Sequence, residues 1–165
     1  MADLKFKGQP AHTVGPLPGV GQTANFSKLV RNNLSEVSLQ DFAGKNKVIS
    51  IFPSIDTGVC ATSVRRFNKE AANLKNTVVL NVSMDLPFAN ARFCGAEGIQ
   101  NCETLSAFRS TFGKDWGLTL NDTPLAGLFA RAIVVLSTEN KVLHTELVAD
   151  ITQEPNYDAA LKALR

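Results

Sequence analysis

Val48-Ile49-Ser50-Ile51-Phe52-Pro53-Ser54-Ile55-Asp56-Thr57-Gly58-Val59-Cys60 runs from an apolar segment through a proline-stopped loop to a cysteine. Val48 to Phe52 has the length and β-branched content of a buried strand, and Pro53, which has no backbone donor, ends it. Beyond the loop, Cys60, Val64, Phe67, Ala71 and Leu74 recur at helical spacing, while Arg65, Arg66, Lys69, Glu70 and Lys75 fall on other faces. The pattern is strand, loop, amphipathic helix, with Cys60 in the first helical turn. Free backbone N–H groups and the positive end of the helix dipole there favour a thiolate.

Outward from this unit, strands and helices alternate with no internal repeat or low-complexity linker. Leu4 to Phe6 and Ala11 to Val14 predict an N-terminal hairpin, and Phe26 to Val30 a short strand. Val37 to Phe42 precedes the buried strand, and Thr77 to Val82 is a further apolar strand after the Cys60 helix. Helices are expected from Phe88 toward Phe93 and around Thr104 to Thr111. Ala132 to Leu136 and Val142 to Leu147 flank Thr138-Glu139-Asn140-Lys141 as a hairpin, and a last helix starts near Pro155, whose missing N–H suits a first helical position. Mixed strands covered by helices make an α/β fold.

With 165 residues, 44% hydrophobic and 19% charged, the chain suits one globular domain spanning 1–165. A net charge of +2, with Lys and Arg scattered, gives no reason to expect nucleic acid or an acidic membrane as partner. Met1 to Gly8 alternates polar and apolar residues without the apolar core of a signal peptide, and no stretch is long enough to span a bilayer. The expectation is a cytoplasmic protein whose thiols rest reduced. Three cysteines and two histidines lack the spacing of a metal site: Cys60, Cys94 and Cys102 are far apart, there is no Cys-x-x-Cys, and His12 and His144 lie in unrelated segments. Neither metal nor cofactor is expected.

A small buried hydrophobe at the top of a helix is the plain alternative for Cys60. Its neighbours argue otherwise, since the Thr57 hydroxyl, three positions earlier, is in range of the sulfur or an oxygen bound beside it, and Gly58 permits close backbone approach. Ionisation alone does not make a fast thiol. A free thiol is about 3% ionised at pH 7, so complete ionisation gains roughly thirtyfold at most, about 2 kcal/mol of barrier. Where a thiolate displaces an oxygen leaving group, charge also develops on that oxygen, and fixed donors aimed there contribute about 3–4 kcal/mol each. The available donors are the N–H groups of Val59 and Cys60, the Thr57 hydroxyl and a guanidinium. Arg31, Arg65, Arg66, Arg92, Arg109, Arg131 and Arg165 compete for that role, with Arg131 favoured because it directly precedes the strand Ala132 to Leu136. An oxidised Cys60 is recycled most simply by a second thiol. Cys94 lies in the Gly-rich stretch Cys94-Gly95-Ala96-Glu97-Gly98, where Arg92 could assist its ionisation, and Cys102 is the competitor. Phe52, Leu86, Phe88, Phe93, Leu128 and Phe129 sit near these segments in sequence, so an apolar wall beside the site is expected, with core packing as the alternative.

Pro53, Thr57 and Cys60 match the Pro-x-x-x-Thr/Ser-x-x-Cys signature of the peroxiredoxins, and the string Phe52 to Cys60 resembles the bacterial thiol peroxidases. Asp85 to Gly98 resembles the segment that carries the resolving cysteine in that subfamily, and Pro124 to Ala132 its active-site arginine strand. The resemblance implies a thioredoxin-like fold, a central mixed β-sheet flanked by helices, with the N-terminal β-hairpin added. It implies reduction of hydrogen peroxide and alkyl or lipid hydroperoxides, with Cys60 as peroxidatic nucleophile, Cys94 as resolving thiol in an intramolecular disulfide, and Pro53, Thr57 and Arg131 around them. Gly58, Val59, Phe52, Phe88 and Phe93 are the expected substrate contacts. Thioredoxin is the implied reductant and a homodimer the implied assembly. Because a disulfide needs Cα atoms within about 7 Å, residues around 58–63 and 93–98 are expected to unwind together when the two thiols join. A redox sensor that reacts once, or a noncatalytic thioredoxin-fold module, are the rival functions; the set Thr57, Cys60 and Arg131 weighs against the second.

Overall fold

The computed structural model describes residues 1–26, 28–71, 73–98 and 102–164; the side chains of Ala71 and Cys102 also lie outside the description. Strands β1 (Asp3–Phe6) and β2 (Gln9–His12) form the separate N-terminal hairpin. The main sheet contains β3 (Leu29–Val30), β4 (Glu36–Val37), β5 (Asn46–Ile51), β6 (Thr77–Ser83), β7 (Cys102–Ser106), β8 (Ala132–Leu136) and β9 (Val142–Leu147), in the order β4-β3-β7-β6-β5-β8-β9. Helices α1 (Gly58–Ala71) and α2 (Pro87–Glu97) make the crossovers between the parallel strands β5, β6 and β7, while β8 runs antiparallel to β5. A short α3 (Phe112–Asp115) and the C-terminal α4 (Tyr157–Lys162) complete the chain. This is the expected thioredoxin-like sheet with its added hairpin.

Alternation along the central strands divides the core. Ile49, Ile51, Leu80, Val82, Val134 and Leu136 pack on one face with Phe112, Trp116 and Phe129. Val48, Val79, Ile133 and Val135 pack on the other with Cys60, Val64 and Phe67 of α1, Phe93 of α2 and Tyr157 of α4. Side chains of successive strand residues point to opposite faces, so both faces of these buried strands read as apolar.

Several sequence expectations change: the second hairpin strand is Gln9–His12 rather than Ala11 to Val14, and the short strand expected over Phe26 to Val30 covers Leu29–Val30. The segment Thr104 to Thr111 is not a helix: Cys102–Ser106 is strand β7, in register with Val79–Ser83 of β6. Burial against β6 and β3 overrides a short local pattern that periodicity cannot settle. The last helix starts two residues later than expected, at Tyr157. Asn156 Oδ1 accepts from the Ala159 N–H at 3.0 Å, and Pro155 precedes the cap rather than opening the helix. Val37 to Phe42 resolves into β4 and a 3-10 turn over Leu39–Phe42.

Candidate active site

Parallel β5 ends at Ile51 and delivers the loop 52–57 to the start of α1. The antiparallel register pairs Ile51 with Ala132, so Arg131 stands beside that loop. Strand pairing of β8 with β9 then brings the segment after Leu147 alongside, where the Val148 N–H donates to the Arg131 carbonyl at 3.0 Å. Register thus collects three segments distant in sequence.

Cys60 is fully buried in the first turn of α1. Ala61 is the first residue of the turn to bond back, to the Thr57 carbonyl at 3.0 Å; among the described residues no backbone carbonyl accepts from the N–H groups of Gly58, Val59 or Cys60. Arg131 is 3% exposed, so it is not a solvated surface side chain. Its Nη2 donates to Cys60 Sγ at 3.2 Å and its Nε to the Ile151 carbonyl at 2.9 Å. Its Nη1 is buried with no hydrogen-bond partner among the described residues. A buried, unsatisfied guanidinium nitrogen beside a sulfur is a donor waiting for an oxygen atom.

A cavity of about 340 Å³ opens onto Arg131. Its walls come from Pro53, Thr57, Gly58 and Val59 of the Cys60 loop, Leu125 and Leu128 before β8, Phe6 and Lys7 of the hairpin, and Ile151. Cys60 does not itself line it; Arg131 touches both. The apolar wall is therefore real but differently built. Phe52 is 1% exposed in the core, Phe93 packs in the same core beside Cys60, and Phe88 is 67% exposed on the surface. None of the three lines the cavity, and Phe6, Leu125 and Ile151 take their place beside Leu128. Leu86 is half exposed and Phe129 belongs to the opposite core face. A larger groove of about 760 Å³, lined by segments near Pro16 to Asn25 and by Asp115 and Trp116, has no cysteine or arginine among its lining residues.

The Thr57 hydroxyl does not reach the sulfur. It donates to the Ser54 carbonyl at 3.0 Å, closing a tight turn to which the Thr57 N–H also bonds. Gly58 answers to no crowding by the chain either, since a Cβ there would meet nothing within 4 Å. What holds the loop is Asp85, just past β6, which the sequence reading did not single out. Its carboxylate accepts from Ser54 Oγ at 2.8 Å, the Ile55 N–H at 2.7 Å and Ser83 Oγ at 2.6 Å. The signal was the adjacency of β5 and β6, whose carboxyl ends face the same side.

Asp150 was missed as well. Its Oδ1 accepts from the Thr152 N–H at 2.9 Å and Thr152 Oγ at 2.6 Å, and its Oδ2 from the Gly8 N–H at 2.9 Å. These bonds to the charged form, the Thr152 hydroxyl first, hold its carboxyl down at about 2. The turn so fixed aims the Ile151 carbonyl at Arg131 and ties the hairpin to the site.

Cys94 lies near the end of α2, half buried, and its Sγ is 3.4 Å from Thr104 Oγ1. Both Cys60 and Cys94 are free thiols. Arg92 is turned away from Cys94: its Nη2 donates to Asp56 Oδ1 at 2.6 Å. Arg65 clamps Glu97 with two bonds of 2.7 Å, so α1 and its loop are tied to α2 at two points. Arg31, Arg66 and Arg109 pair with Glu103, Glu70 and Glu36, away from Cys60; Arg165 and the Cys102 side chain lie outside the described residues.

Residues 14–161 match the family model named Redoxin. The chain is 55% identical over 164 residues, 99% of both chains, to a protein of Corynebacterium glutamicum named thiol peroxidase. It is 52% identical, with the same coverage, to one of Mycobacterium tuberculosis named likewise. A crystal structure of a peroxiredoxin-like protein from Aquifex aeolicus superposes with a TM-score of 0.93 at 37% identity, covering 99% of this chain and 96% of that one.

Proposed function

This chain belongs to the redoxin family, among its thiol peroxidases, and from that premise we propose that Cys60 is the residue that attacks the hydroperoxide and Cys94 the one that restores it. The enzyme carries out thiol-dependent reduction of peroxides. The observation that carries the residue assignment is the Arg131 guanidinium: one nitrogen on Cys60 Sγ, one on Ile151, and one buried and open beside an apolar cavity.

In the first step the Cys60 thiolate attacks the terminal oxygen of R–O–O–H. An S–O bond forms as the O–O bond breaks, sulfur loses two electrons, and the departing alkoxide takes a proton to leave as R–OH. Arg131 Nη1 and the N–H groups of Val59 and Cys60 stabilise the oxygen on which charge develops. Thr57 closes the loop and, with its lone pairs free, accepts from the peroxide O–H; Pro53 shields the site. In the second step Cys94 attacks the sulfenic acid, water leaves, and an intramolecular disulfide remains. Thioredoxin, a dithiol reductant, returns both thiols. The apolar wall of Phe6, Val59, Leu125, Leu128 and Ile151 supports organic hydroperoxides as substrates beside hydrogen peroxide.

Residues 1–165 act as one domain in this reading, in the cytoplasm, where reductants keep thiols reduced. Among the described residues no helix is long and apolar enough to cross a membrane. A homodimer is supported by Leu86 and Phe88, exposed at the start of α2 next to the Asp85 that holds the Cys60 loop.

Peptide mapping after one equivalent of cumene hydroperoxide, with thiols trapped, tests the assignment. A Cys60–Cys94 bond within one chain, with Cys102 free, is expected; a bond to Cys102 or between chains refutes it. Cys60→Ser should abolish turnover, and Cys94→Ser should leave one rapid oxidation without cycling.

A further inference from the structure

We propose that Lys7, at the tip of the N-terminal hairpin, binds the carboxylate of acidic amphiphilic hydroperoxides, such as those of free fatty acids, while their peroxide end lies at Arg131. This rests on the peroxidase reading above and adds a selectivity to it.

Phe6 and Lys7 stand in the walls of two cavities at once. One is the 340 Å³ cavity that ends on Arg131; the other, of about 380 Å³, continues along the outer side of the hairpin past Gln9, Pro10 and Pro124. The inner cavity is apolar except at its Arg131 end and at its mouth. An elongated apolar molecule with its peroxide at Arg131 therefore leaves the inner cavity beside Lys7.

Lys7 and Arg131 are the cations in these walls, and Asp122 is the carboxylate. Asp122, in the outer cavity, is held by His12, whose Nδ1 is 2.6 Å from Oδ2 and whose N–H donates to Oδ1 at 3.0 Å. Both Asp150 oxygens are taken by Gly8 and Thr152. Arg131 is buried and engaged with Cys60 and Ile151. Lys7 makes no ion pair among the described residues; its Nζ lies 5.4 Å from the Phe6 ring centroid. Its backbone is nonetheless fixed, in the left-handed region at φ 52°, with the next N–H bound to Asp150. A cation on an anchored turn, over the aromatic ring that lines both cavities, is placed for an anion arriving along the apolar wall. Hydrogen peroxide and cumene hydroperoxide have no group to reach it.

The test compares kcat/KM for a linoleic acid hydroperoxide and its methyl ester, below their aggregation concentrations, in the wild type and in Lys7→Gln, Lys7→Glu and Lys7→Arg. The acid-to-ester ratio should fall about two- to fivefold in Lys7→Gln, the range of one exposed ion pair. It should fall further in Lys7→Glu, stay high in Lys7→Arg, and drop in the wild type at high salt. A ratio unmoved by Lys7→Glu overturns the proposal. Peroxide-free linoleate reads the same contact independently of turnover. It should protect Cys60 of the wild type from iodoacetamide, and equal protection of Lys7→Glu would also overturn the carboxylate contact. Failure to reduce either peroxide would instead count against the peroxidase reading.

Discussion

At the scale of single residues, the proposed chemistry turns on Arg131. Its side chain is fixed by the Ile151 carbonyl, so the fork presented to sulfur and incoming oxygen needs no rearrangement during attack. Arg131→Met should slow the second-order oxidation of Cys60, followed by stopped-flow fluorescence or by competition with a second peroxidase, by about 10²–10³-fold. Arg131→Lys should recover only a small part, because an ammonium cannot hold sulfur, carbonyl and peroxide in one plane. A rate within a few fold of wild type would return the role to backbone donors alone. Arg131 and Cys60 were both legible in the sequence, one from its place before an apolar strand and the other from its place at a helix start. Thr57 was legible as part of the loop, but its hydroxyl direction was not, because the Ser54 carbonyl competes for it locally. Asp85 and Asp150 were invisible, since the groups they anchor across the fold, the Ile55 and Gly8 N–H groups, lie far from them in sequence.

At the scale of elements, the hairpin and the two crossover helices carry the adjustable parts. The Asp122 hydrogen bond raises the His12 pKa above its usual value, and the same bond lowers that of Asp122. The raised His12 contributes stability fully below its unfolded pKa of about 6.5 and loses it as pH rises through the folded value. The lowered Asp122 contributes above its unfolded pKa of about 3.9 and loses it as pH falls through the folded one. Hairpin anchoring should thus be best between about pH 4 and 6.5 and weaken on the alkaline side. Amide exchange in residues 3–12, corrected for intrinsic rates, should rise more from acid to alkaline pH in wild type than in Asp122→Asn; parallel profiles would discount the pair. On forming the Cys60–Cys94 bond, amides in 58–63 and 93–98 should lose protection together, releasing the Asp56–Arg92 and Arg65–Glu97 ion pairs. Retained protection in either segment would mean the disulfide forms without coupled unwinding. Strand and helix identities were readable where runs were long, as in β5, β6, β8 and α1. Residues 102–106 were not, because a short strand becomes one only through the partner that pairs with it.

At the scale of the whole molecule, two packed layers hold one rigid sheet, and the site sits where its strand ends meet the hairpin. Phe67 joins α1 to α4 through an edge-on contact with Tyr157, centroids 5.0 Å apart, in the layer that also buries Cys60. Phe67→Ala should cost about 3–5 kcal/mol of unfolding free energy in denaturant titrations, far above the effect of a surface change. Phe88→Glu should leave the fold intact by circular dichroism and shift the sedimentation of a homodimer toward monomer; unaltered sedimentation would move the interface elsewhere. The sequence by itself determined the α/β class, the mixed strands with their added hairpin, the cysteine at a helix start and the arginine before a strand, because these depend on local periodicity and on groups a few residues apart. Only the tertiary structure decided which apolar side chains wall the cavity, where Thr57 and Arg92 point, that Asp85 and Asp150 hold the loop and hairpin beside it, and that Lys7 lines it. Those depend on strand register and on competition among hydrogen-bond partners, both set by segments that meet only after the chain has folded.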